Sequence, residues 1–358
     1  MGLFGKRDDM IVHGTEPYNA EPPRCGLLNA RTENASFYSR NHGSVPHVDP
    51  AAWRLTVDGL VERELVLSLR DLREQFPQRT LVATLQCAGN RRSGLLAVRD
   101  IPGEDPWDAG ATSTAEWTGV ALADVLETAG IQTSATDVAF EAPDLAPLAQ
   151  PPQPYGSSID VAKATRREVL LAWAMNGEPL APIHGAPVRV VVPGYIGARS
   201  VKWIDRITAQ AEPSDNYFQA VAYRLPAAAA HPDGAGVALT SVALTSAILA
   251  PASHSTVPAG LSTITGYALA GDGHSVARVE VSQDGGHTWG QADLDPQASP
   301  WSWQHWRTTV ELPPGPVTVT ARAWDSTGAT QPESARQIWN PKGYANNSWD
   351  RIELTVVP

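Results

Sequence analysis

The chain has 358 residues, of which 42% are hydrophobic and 18% charged, so it is long enough for two domains with a sizeable core. Its net charge of −11 argues against nucleic acid as a partner, and no window approaches the roughly 18 apolar residues of a membrane span. Residues 1–10 have no apolar run after their basic pair, which argues against a secretory leader. We therefore expect a cytoplasmic protein without membrane contact.

The first part of the chain is rich in proline, asparagine and glutamate. Residues 1–35 predict an extended arm that lies over the surface of a domain. Residues 37–43 begin with two aromatics, continue with three polar residues and end in glycine. This order predicts a strand running into a loop that presents Arg40, Asn41 and His42 together.

Three further elements lead up to the second cysteine. Residues 53–59 alternate apolar and polar side chains and end in Asp-Gly, which predicts a strand and a turn. Ser68 is a candidate cap for a short helix. Residues 80–85 predict a short, mostly apolar strand that delivers Cys87 into the loop after it.

The loop around Cys87 carries the strongest chemical signal of the chain. A thiolate is a soft metal ligand, and the neighbouring alanine and glycine leave room for a bulky group. Arg91 and Arg92 follow, and guanidinium groups suit an oxyanion or a phosphate. The alternative is a small buried cysteine with a structural role. The only other cysteine is Cys25, so neither a disulfide framework nor a zinc motif is expected.

The middle of the chain predicts alternating helices and strands. Residues 121–129 have one apolar helical face that Gly130 closes. Residues 138–141 predict a strand with Asp144 in the loop beyond it, whereas the pattern of residues 167–175 suits either a helix or a strand of the core. Residues 187–193 predict a buried strand bounded by prolines.

Two features of that last strand and its loop indicate a bound anion. Arg189 is a charge inside a buried strand and therefore needs a partner. The following loop has two glycines, and its Arg199, Ser200 and Lys202 are all able to reach a phosphate.

The composition of the chain changes at Leu225–Gly236, which predicts a linker, and a different residue pattern follows. Short alternating runs then recur at residues 264–267, 276–281, 317–324 and 352–356, with turn clusters between them. They predict an all-β, immunoglobulin-like sandwich whose role is support and oligomerisation.

The ordered set of motifs resembles the sulfite oxidase family of molybdenum enzymes. It comprises Arg-Asn-His at 40–42, Cys-Ala-Gly-Asn-Arg-Arg at 87–92, Trp107, Met-Asn-Gly at 175–177, His184 with Arg189, and Gly-Ala-Arg-x-Val-Lys-Trp at 197–203. The resemblance implies an α+β protein: an arm over 1–35, a mixed α/β molybdopterin-binding domain over 36–230, and an immunoglobulin-like dimerisation domain over 236–358. It also implies a homodimer.

The resemblance further implies a molybdenum ion held by a molybdopterin cofactor and one protein thiolate, that of Cys87. The residues that it implies for cofactor binding are Tyr38, Ser39, Arg40, Asn41, His42, Asp144, His184, Arg189, Ser200, Val201 and Lys202. The residues that it implies for catalysis and the substrate pocket are Arg40, Arg92, Trp107, Tyr223 and Lys342.

Three departures from the family pattern bear on function. Ala222 replaces the aspartate that often precedes the active-site tyrosine, so proton handling around Tyr223 is expected to differ. Lys342 stands where the vertebrate-type pocket has an arginine. The positive charge is therefore kept, but the forked pair of N–H donors of a guanidinium group is lost. Neither a His-Pro-Gly-Gly segment nor a Cys-x-x-Cys-His motif is present, which predicts no haem and an external electron acceptor, oxygen or another.

The expected activity is oxidation of sulfite to sulfate by oxygen-atom transfer, of the sulfite oxidase or sulfite dehydrogenase type. Sulfite is a small dianion, which suits the arginine pair and Lys342. The alternatives are a nitrate reductase-like enzyme, another oxyanion or sulfoxide oxygen-atom transferase, and a non-catalytic interaction protein that keeps the fold without metal.

Overall fold

The computed structural model describes residues 2–226, 236–271 and 273–358. Two units follow one another: a mixed α+β domain and an all-β sandwich, which confirms the predicted fold class. The linker predicted at Leu225–Gly236 falls mostly on residues 227–235, which lie outside the described residues. Among the described residues, no helix combines the length and the apolar character needed to cross a bilayer.

The N-terminal segment is more than a surface arm. It forms a 3-10 turn at Leu3–Gly5 and an antiparallel hairpin of β1 (Ile11–Thr15) and β2 (Tyr18–Glu21). Strand β2 is buried along its whole length, and a bridge joins Ala20 to Ser39. The segment is therefore an integral part of the first domain, and the expectation of an arm lying over the surface was incomplete.

Two sheets and four helices build the rest of the first domain. The strands are β3 (Leu55–Gly59), β4 (Leu65–Leu67), β5 (Gln78–Gln86), β6 (Thr112–Ala121), β7 (Asp137–Ala146), β8 (Gln153–Asp160), β9 (Leu170–Met175), β10 (Glu178–Pro179), β11 (Arg189–Val191) and β12 (Arg206–Gln210). The helices are α1 (Leu69–Gln75), α2 (Arg92–Leu96), α3 (Leu122–Ala129) and α4 (Val161–Ala164). One sheet has the order β10-β9-β6-β5 with β11 beside β9, and the other has the order β4-β3-β12-β7-β8.

Local sequence signals explain several of these boundaries. Ser68 and Asp71 form a reciprocal capping box at the start of α1, as the serine predicted. Gly130 takes the left-handed conformation after α3 (φ 72°), as expected for a C′ glycine. The ambiguous segment 167–175 contains strand β9, which pairs with both β6 and β11 and is almost wholly buried. A run buried on both faces lacks the alternation that identifies a strand.

One expected strand is absent from the described residues. Phe37 lies in a bend and Tyr38 in irregular backbone, and only the Ser39 bridge has strand pairing there. The two aromatic rings stack at 5.5 Å and belong to a buried cluster that also contains Cys87. Packing, and not a β-ladder, holds this segment in place.

The hairpin of β13 (Arg224–Pro226) and β14 (Gly236–Ala238) leads into the sandwich. The sandwich strands are β15 (Thr245–Ala250), β16 (Thr256–Pro258), β17 (Gly260–Leu269), β18 (Val276–Ser282), β19 (Gly290–Gln291), β20 (Asp293–Leu294), β21 (Gln304–Leu312), β22 (Gly315–Asp325) and β23 (Asp350–Val357). They form sheets of order β15-β17-β21-β20 and β16-β23-β22-β18-β19 around one apolar core. All four runs predicted as strands are strands.

A buried ion-pair cluster joins the two units. The Asp350 carboxylate accepts from Arg24 at 2.6 Å and from Arg91 at 3.1 Å. Arg91 also donates to the Ser348 carbonyl oxygen at 2.6 Å. The loop that follows Cys87 therefore contacts the second domain directly.

Candidate molybdopterin site

A cavity opens in the first domain where the ends of both sheets meet the N-terminal loops. Its wall gathers four separated parts of the chain: residues 37–42, the end of β5, strands β7 and β8 with Asp144 and Tyr155, and residues 184–203, and Tyr223 just before β13 completes it. Asp144 therefore lies within β7 and not in a loop beyond a strand, as the sequence had predicted. Ten of the eleven residues implied for cofactor binding lie in the wall, namely Tyr38, Ser39, Arg40, Asn41, His42, Asp144, His184, Arg189, Ser200 and Lys202.

Cys87 also lies in this wall, directly after β5. Its thiol is buried and accepts a hydrogen bond from the Gly89 N–H at 3.4 Å. Burial raises the pKa of this thiol, and the charges of Arg92 and Arg40 act in the opposite direction. Within the described ranges, no group of three His, Cys, Asp or Glu side chains is placed to hold a metal. A metal at Cys87 would therefore take its other ligands from a cofactor.

Positive charge dominates the cavity. Arg189 is buried and donates to the carbonyl oxygens of His184 at 3.1 Å and Ser200 at 2.9 Å. Lys202 donates to the carbonyl oxygens of Arg40 at 3.1 Å and Ile183 at 3.2 Å, and to the side-chain oxygen of Asn41. These partners are neutral, and burial lowers the pKa of Arg189 to about 10. Because these cations line the cavity and hydrogen-bond to neutral groups, they favour an anionic ligand there.

The cavity also contains polar groups with no partner in the protein. The Ser39 hydroxyl and one carboxylate oxygen of Asp144 are buried and make no hydrogen bond in the structure. Burial raises the pKa of Asp144, and the charge of Lys202 acts against the shift. Buried polar groups are normally satisfied, so a ligand with both donors and acceptors is expected between them.

A glycine lets the backbone approach the cavity. A Cβ atom on Gly197 would lie 2.6 Å from the hydroxyl oxygen of Tyr38, closer than any real contact of that kind. The 3-10 turn Gly197–Arg199 that begins there turns Arg199 away from the cavity. Arg199 instead donates to the Leu239 carbonyl oxygen at 2.8 Å, so the expectation that it reaches a phosphate is wrong.

Tyr223 and His42 form a pair at the wall of the cavity. The tyrosine hydroxyl lies 2.9 Å from Nε2 of His42. Burial, together with the charges of Arg40 and Lys202, lowers the pKa of His42 well below its usual value, so the imidazole is neutral. Burial raises the pKa of the Tyr223 hydroxyl, which therefore keeps its proton. A π-helical turn at Phe218–Ala222 ends just before Tyr223 and sets its direction.

Four predicted site residues do not line the cavity: Arg92, Trp107, Val201 and Lys342. Arg92 is buried under Gly89, where a Cβ atom would lie 2.4 Å from its guanidinium group. Arg92 binds the Glu104 carboxylate at 3.1 Å and the carbonyl oxygens of Asp105 and Gly343.

The other three take different positions. Trp107 is fully buried in the aromatic cluster beside Cys87, and its indole N–H has no hydrogen-bond partner. Val201 packs in the main core behind the wall, where its carbonyl oxygen accepts from the Val190 N–H. Lys342 is half-buried next to Gly343, whose carbonyl oxygen accepts from Arg92. Their proposed roles stay predictions.

Sequence reasoning assigned no role to several residues of the site. Tyr155 and Trp203 lie in motifs of the sequence and complete the wall of the cavity. Lys6, which reaches His184, and Glu104, the carboxylate partner of Arg92, lie outside the motifs and come near the site only through the fold.

The family comparisons agree with this geometry. The model of the oxidoreductase molybdopterin binding domain matches residues 42–218, and that of the Mo-co oxidoreductase dimerisation domain matches residues 237–357. The chain is 42% identical to sulfite oxidase of Gallus gallus over 95% of this chain and 76% of the relative. It is 36% identical to sulfite oxidase of Arabidopsis thaliana over 98% of this chain and 95% of the relative.

Two further similarities define the range of related activities. A nitrate reductase of Hordeum vulgare is 37% identical over 98% of this chain, which spans only 42% of that relative. The crystal structure of the sulfane dehydrogenase SoxCD from Paracoccus pantotrophus superposes with a TM-score of 0.82 at 26% identity, over 96% of this chain and 86% of that one.

The residues present fit the group that these relatives imply. A soft thiol, a cluster of buried cations and unpaired polar groups share one cavity, as a metal-bearing, phosphorylated pterin would require. The site is that of a molybdopterin-dependent oxidoreductase. Within that class, the chain belongs to the sulfite oxidase family, as the sequence motifs indicated.

Proposed function

We propose that the protein oxidises sulfite to sulfate by oxygen-atom transfer at a molybdenum ion that Cys87 ligates. The observation that carries the proposal is the placement of the Cys87 thiol in the same cavity as the basic side chains of Arg40, Arg189 and Lys202. A soft ligand for the metal and positive charge for anions are thereby combined in one site. The relatives named as sulfite oxidases support the choice of substrate.

The cavity wall divides into two parts by chemistry. When bound, the molybdopterin group supplies the two-electron redox chemistry of the reaction. Arg189, His184 and Lys202 would hold its anionic end, and Asp144 and Ser39 would bind its polar ring atoms. Cys87 would hold the metal. Except for the half-buried Lys202, each of these side chains is buried, so the group would be oriented by a preorganised wall.

The substrate end of the site uses arginine. The Arg40 guanidinium is close enough to Cys87 and Tyr223 to interact electrostatically with both, so it is placed to bind the oxygens of a small dianion beside the metal position. Arg92 contributes charge from behind the wall while paired with Glu104. This local field offsets the negative charge of the whole chain.

We assign proton handling to Tyr223 and His42, because position 222 is an alanine and not an aspartate. The hydroxyl of Tyr223 keeps its proton, and the neutral His42 lies 2.9 Å away as an acceptor or a donor. We assign to this pair the orientation of a water molecule or substrate oxygen at the cavity wall.

We also propose that the protein is a homodimer and that it passes its electrons to an acceptor outside the chain. The C-terminal sandwich matches a dimerisation domain, which supports a homodimer. The absence of haem-binding motifs from the sequence supports a haem-free enzyme that passes electrons to oxygen or to an external acceptor. We further propose a cytoplasmic location without membrane contact, from the acidic composition of the chain.

Nitrate reduction is the second candidate because a nitrate reductase is among the similar proteins. The chain matches less than half of that relative, and the strongly cationic cavity suits a dianion better than nitrate. We therefore favour sulfite. Other oxyanion or sulfoxide substrates remain alternatives, and a scaffold without metal is less consistent with a retained Cys87 and cationic wall.

The test is a paired assay on protein matured with molybdenum. Sulfite oxidation is measured with oxygen, ferricyanide and cytochrome c offered separately, and nitrate reduction with a reduced viologen dye. Sulfite turnover with at least one acceptor, above nitrate turnover, is the expected result. Molybdenum near one per chain without sulfite turnover would overturn the substrate, and no molybdenum at all would overturn the enzyme.

A further inference from the structure

The N-terminal segment sends a lysine to the rear of the cofactor cavity. Lys6 is 1% exposed, although it lies only a few residues from an exposed 3-10 turn. Its ammonium group lies 2.8 Å from the carbonyl oxygen of Asn34, 2.7 Å from that of Phe37 and 2.6 Å from Nε2 of His184. Each of its three N–H groups thus has one acceptor.

No carboxylate balances this charge. Among the ion pairs formed by the described residues, none includes Lys6. The neighbouring Lys202 and Arg189 are also basic. Burial, and after it the charges of Lys6, Lys202 and Arg189, lower the pKa of His184. Burial alone lowers the pKa of Lys6 to about 7. A buried cation among cations is costly unless an anion completes the site.

His184 connects Lys6 to the cavity. Its ring lines the cofactor cavity and also an outer groove beside Phe4 and Lys6, so it forms the wall between them. Phe37 packs edge-on against the imidazole at 5.3 Å and limits its rotation. With Lys6 donating to Nε2, the proton of the neutral imidazole is carried by Nδ1. Nδ1 is then a donor for a ligand.

We propose that Lys6 is a positioning residue for the molybdopterin group: it fixes His184 as an Nδ1–H donor to the anionic end of the group and closes the N-terminal segment behind that end. Binding of the cofactor and ordering of residues 2–15 are therefore coupled. The inference rests on the molybdopterin site of the proposed function and is independent of sulfite as the substrate.

The first experiment separates this role from a purely structural one. The full-length chain is prepared with cofactor and, from cells that cannot make the cofactor, without it, and the thermal midpoint of each form is measured. In Lys6→Met the increase in midpoint on cofactor binding is expected to be several degrees smaller than in wild type, and Lys6→Arg should restore most of it.

The matched control is Arg7→Met, since Arg7 is the next basic residue and pairs with Asp9 on the surface. It should leave the increase unchanged. If Lys6 were structural only, Lys6→Met would lower both midpoints equally, and an unchanged increase would overturn the inference.

The second experiment measures coupling directly. Hydrogen exchange of residues 2–15 should slow on cofactor binding in wild type and in Arg7→Met, but not in Lys6→Met. Molybdenum should leave Lys6→Met roughly tenfold faster than wild type, as for loss of one charge-assisted contact. Equal exchange and equal retention would overturn the inference alone. A wild-type chain that takes up no molybdenum would instead overturn the proposed function with it.

Discussion

The boundary between the domains and the surroundings of the cavity treat charge in opposite ways. At the boundary, buried Asp350 pairs with Arg24 and Arg91. Around the cavity, buried Lys6 and Arg189 and half-buried Lys202 donate to carbonyl oxygens and to side chains of neutral groups.

The difference separates structural charges from ligand-binding charges. A buried pair is complete in the protein alone, and its removal costs stability. A buried cation without a partner is costly in the protein alone, and the binding of an anion offsets that cost. The same residue types therefore predict opposite consequences when they are changed in the two places.

The largest expected effect is at the thiol of the cavity. Cys87→Ser keeps the size of the side chain and removes the soft ligand, so sulfite turnover should fall by about a hundredfold or more. Circular dichroism and the thermal midpoint of the cofactor-free protein should stay close to wild type. Cys25→Ser, at an exposed cysteine, is the control and should retain full turnover. Full activity in Cys87→Ser would refute the assignment of the ligand.

The second-largest effect is expected at the ion pairs that Asp350 forms with Arg24 and Arg91. Asp350→Asn leaves buried Arg91 with neutral partners and Arg24 with Asp108 alone, and it should destabilise the protein by about 3–5 kcal/mol. Denaturant unfolding of the cofactor-free chain measures the change. Asp9→Asn, which breaks an exposed pair with Arg7, should have no measurable effect. Equal stability of the two variants would contradict the structural role of the buried charge pairs at the domain boundary.

The pH dependence of stability tests the charge of Lys6, which has no carboxylate partner among the described residues. Burial lowers the pKa of Lys6 from 10.5 to about 7 in the folded protein. The unfolded chain then binds more protons than the folded one between about pH 7 and pH 10. The free energy of unfolding contributed by this group should therefore rise with pH in that window, by about 1 kcal/mol per pH unit.

Urea unfolding of the cofactor-free chain at pH 7, 8 and 9 measures this slope. Lys6→Gln keeps a hydrogen-bonding side chain without the charge and should have a flatter profile. Arg7→Gln should follow wild type. An identical slope in Lys6→Gln would show that the lysine is not the group responsible.

The smallest expected effect concerns the carboxylate behind Arg92. Glu104 pairs with Arg92 at 3.1 Å, and its charge also reaches Arg40. Glu104→Gln should lower the KM for sulfite by about two- to fivefold with little change in kcat, because it removes negative charge near an anion site.

The effect should shrink at high ionic strength, since exposed charge is screened. Steady-state kinetics at two salt concentrations test both points. Glu127→Gln, at an exposed glutamate of α3, is the control. A raised KM in Glu104→Gln would mean that the carboxylate is needed to hold Arg92 in place.

Much of the cavity was predictable because its residues occur in short contiguous motifs. Arg40, Asn41 and His42 are adjacent in the chain, and a strand delivers Cys87 to its loop. The buried charge of Arg189 required a partner on physical grounds alone. Alternation and turn residues also predicted the strands of the sandwich, because one face of each strand is buried.

The rest depended on contacts that no local pattern contains. Arg199 and Lys202 are three positions apart in one loop, yet a 3-10 turn sends only the lysine into the cavity wall. Arg91 and Arg92 are adjacent, and the left-handed backbone of Arg91 (φ 62°) directs one to the second domain and the other to Glu104. Glu104 could not be identified from the sequence, because it affects the site only through its ion pair with Arg92.

The contact between Lys6 and His184 joins residues that are 178 positions apart in the sequence. Contacts of such separation carry a high loop-closure entropy and tend to form late in folding. The contacts that build the cavity wall are equally distant in sequence, since Lys202 and Arg40 are 162 positions apart and Tyr223 and His42 are 181 apart. We therefore expect the cavity to form only after the chain has been synthesised through Tyr223, so that the segment synthesised first waits longest for its partners.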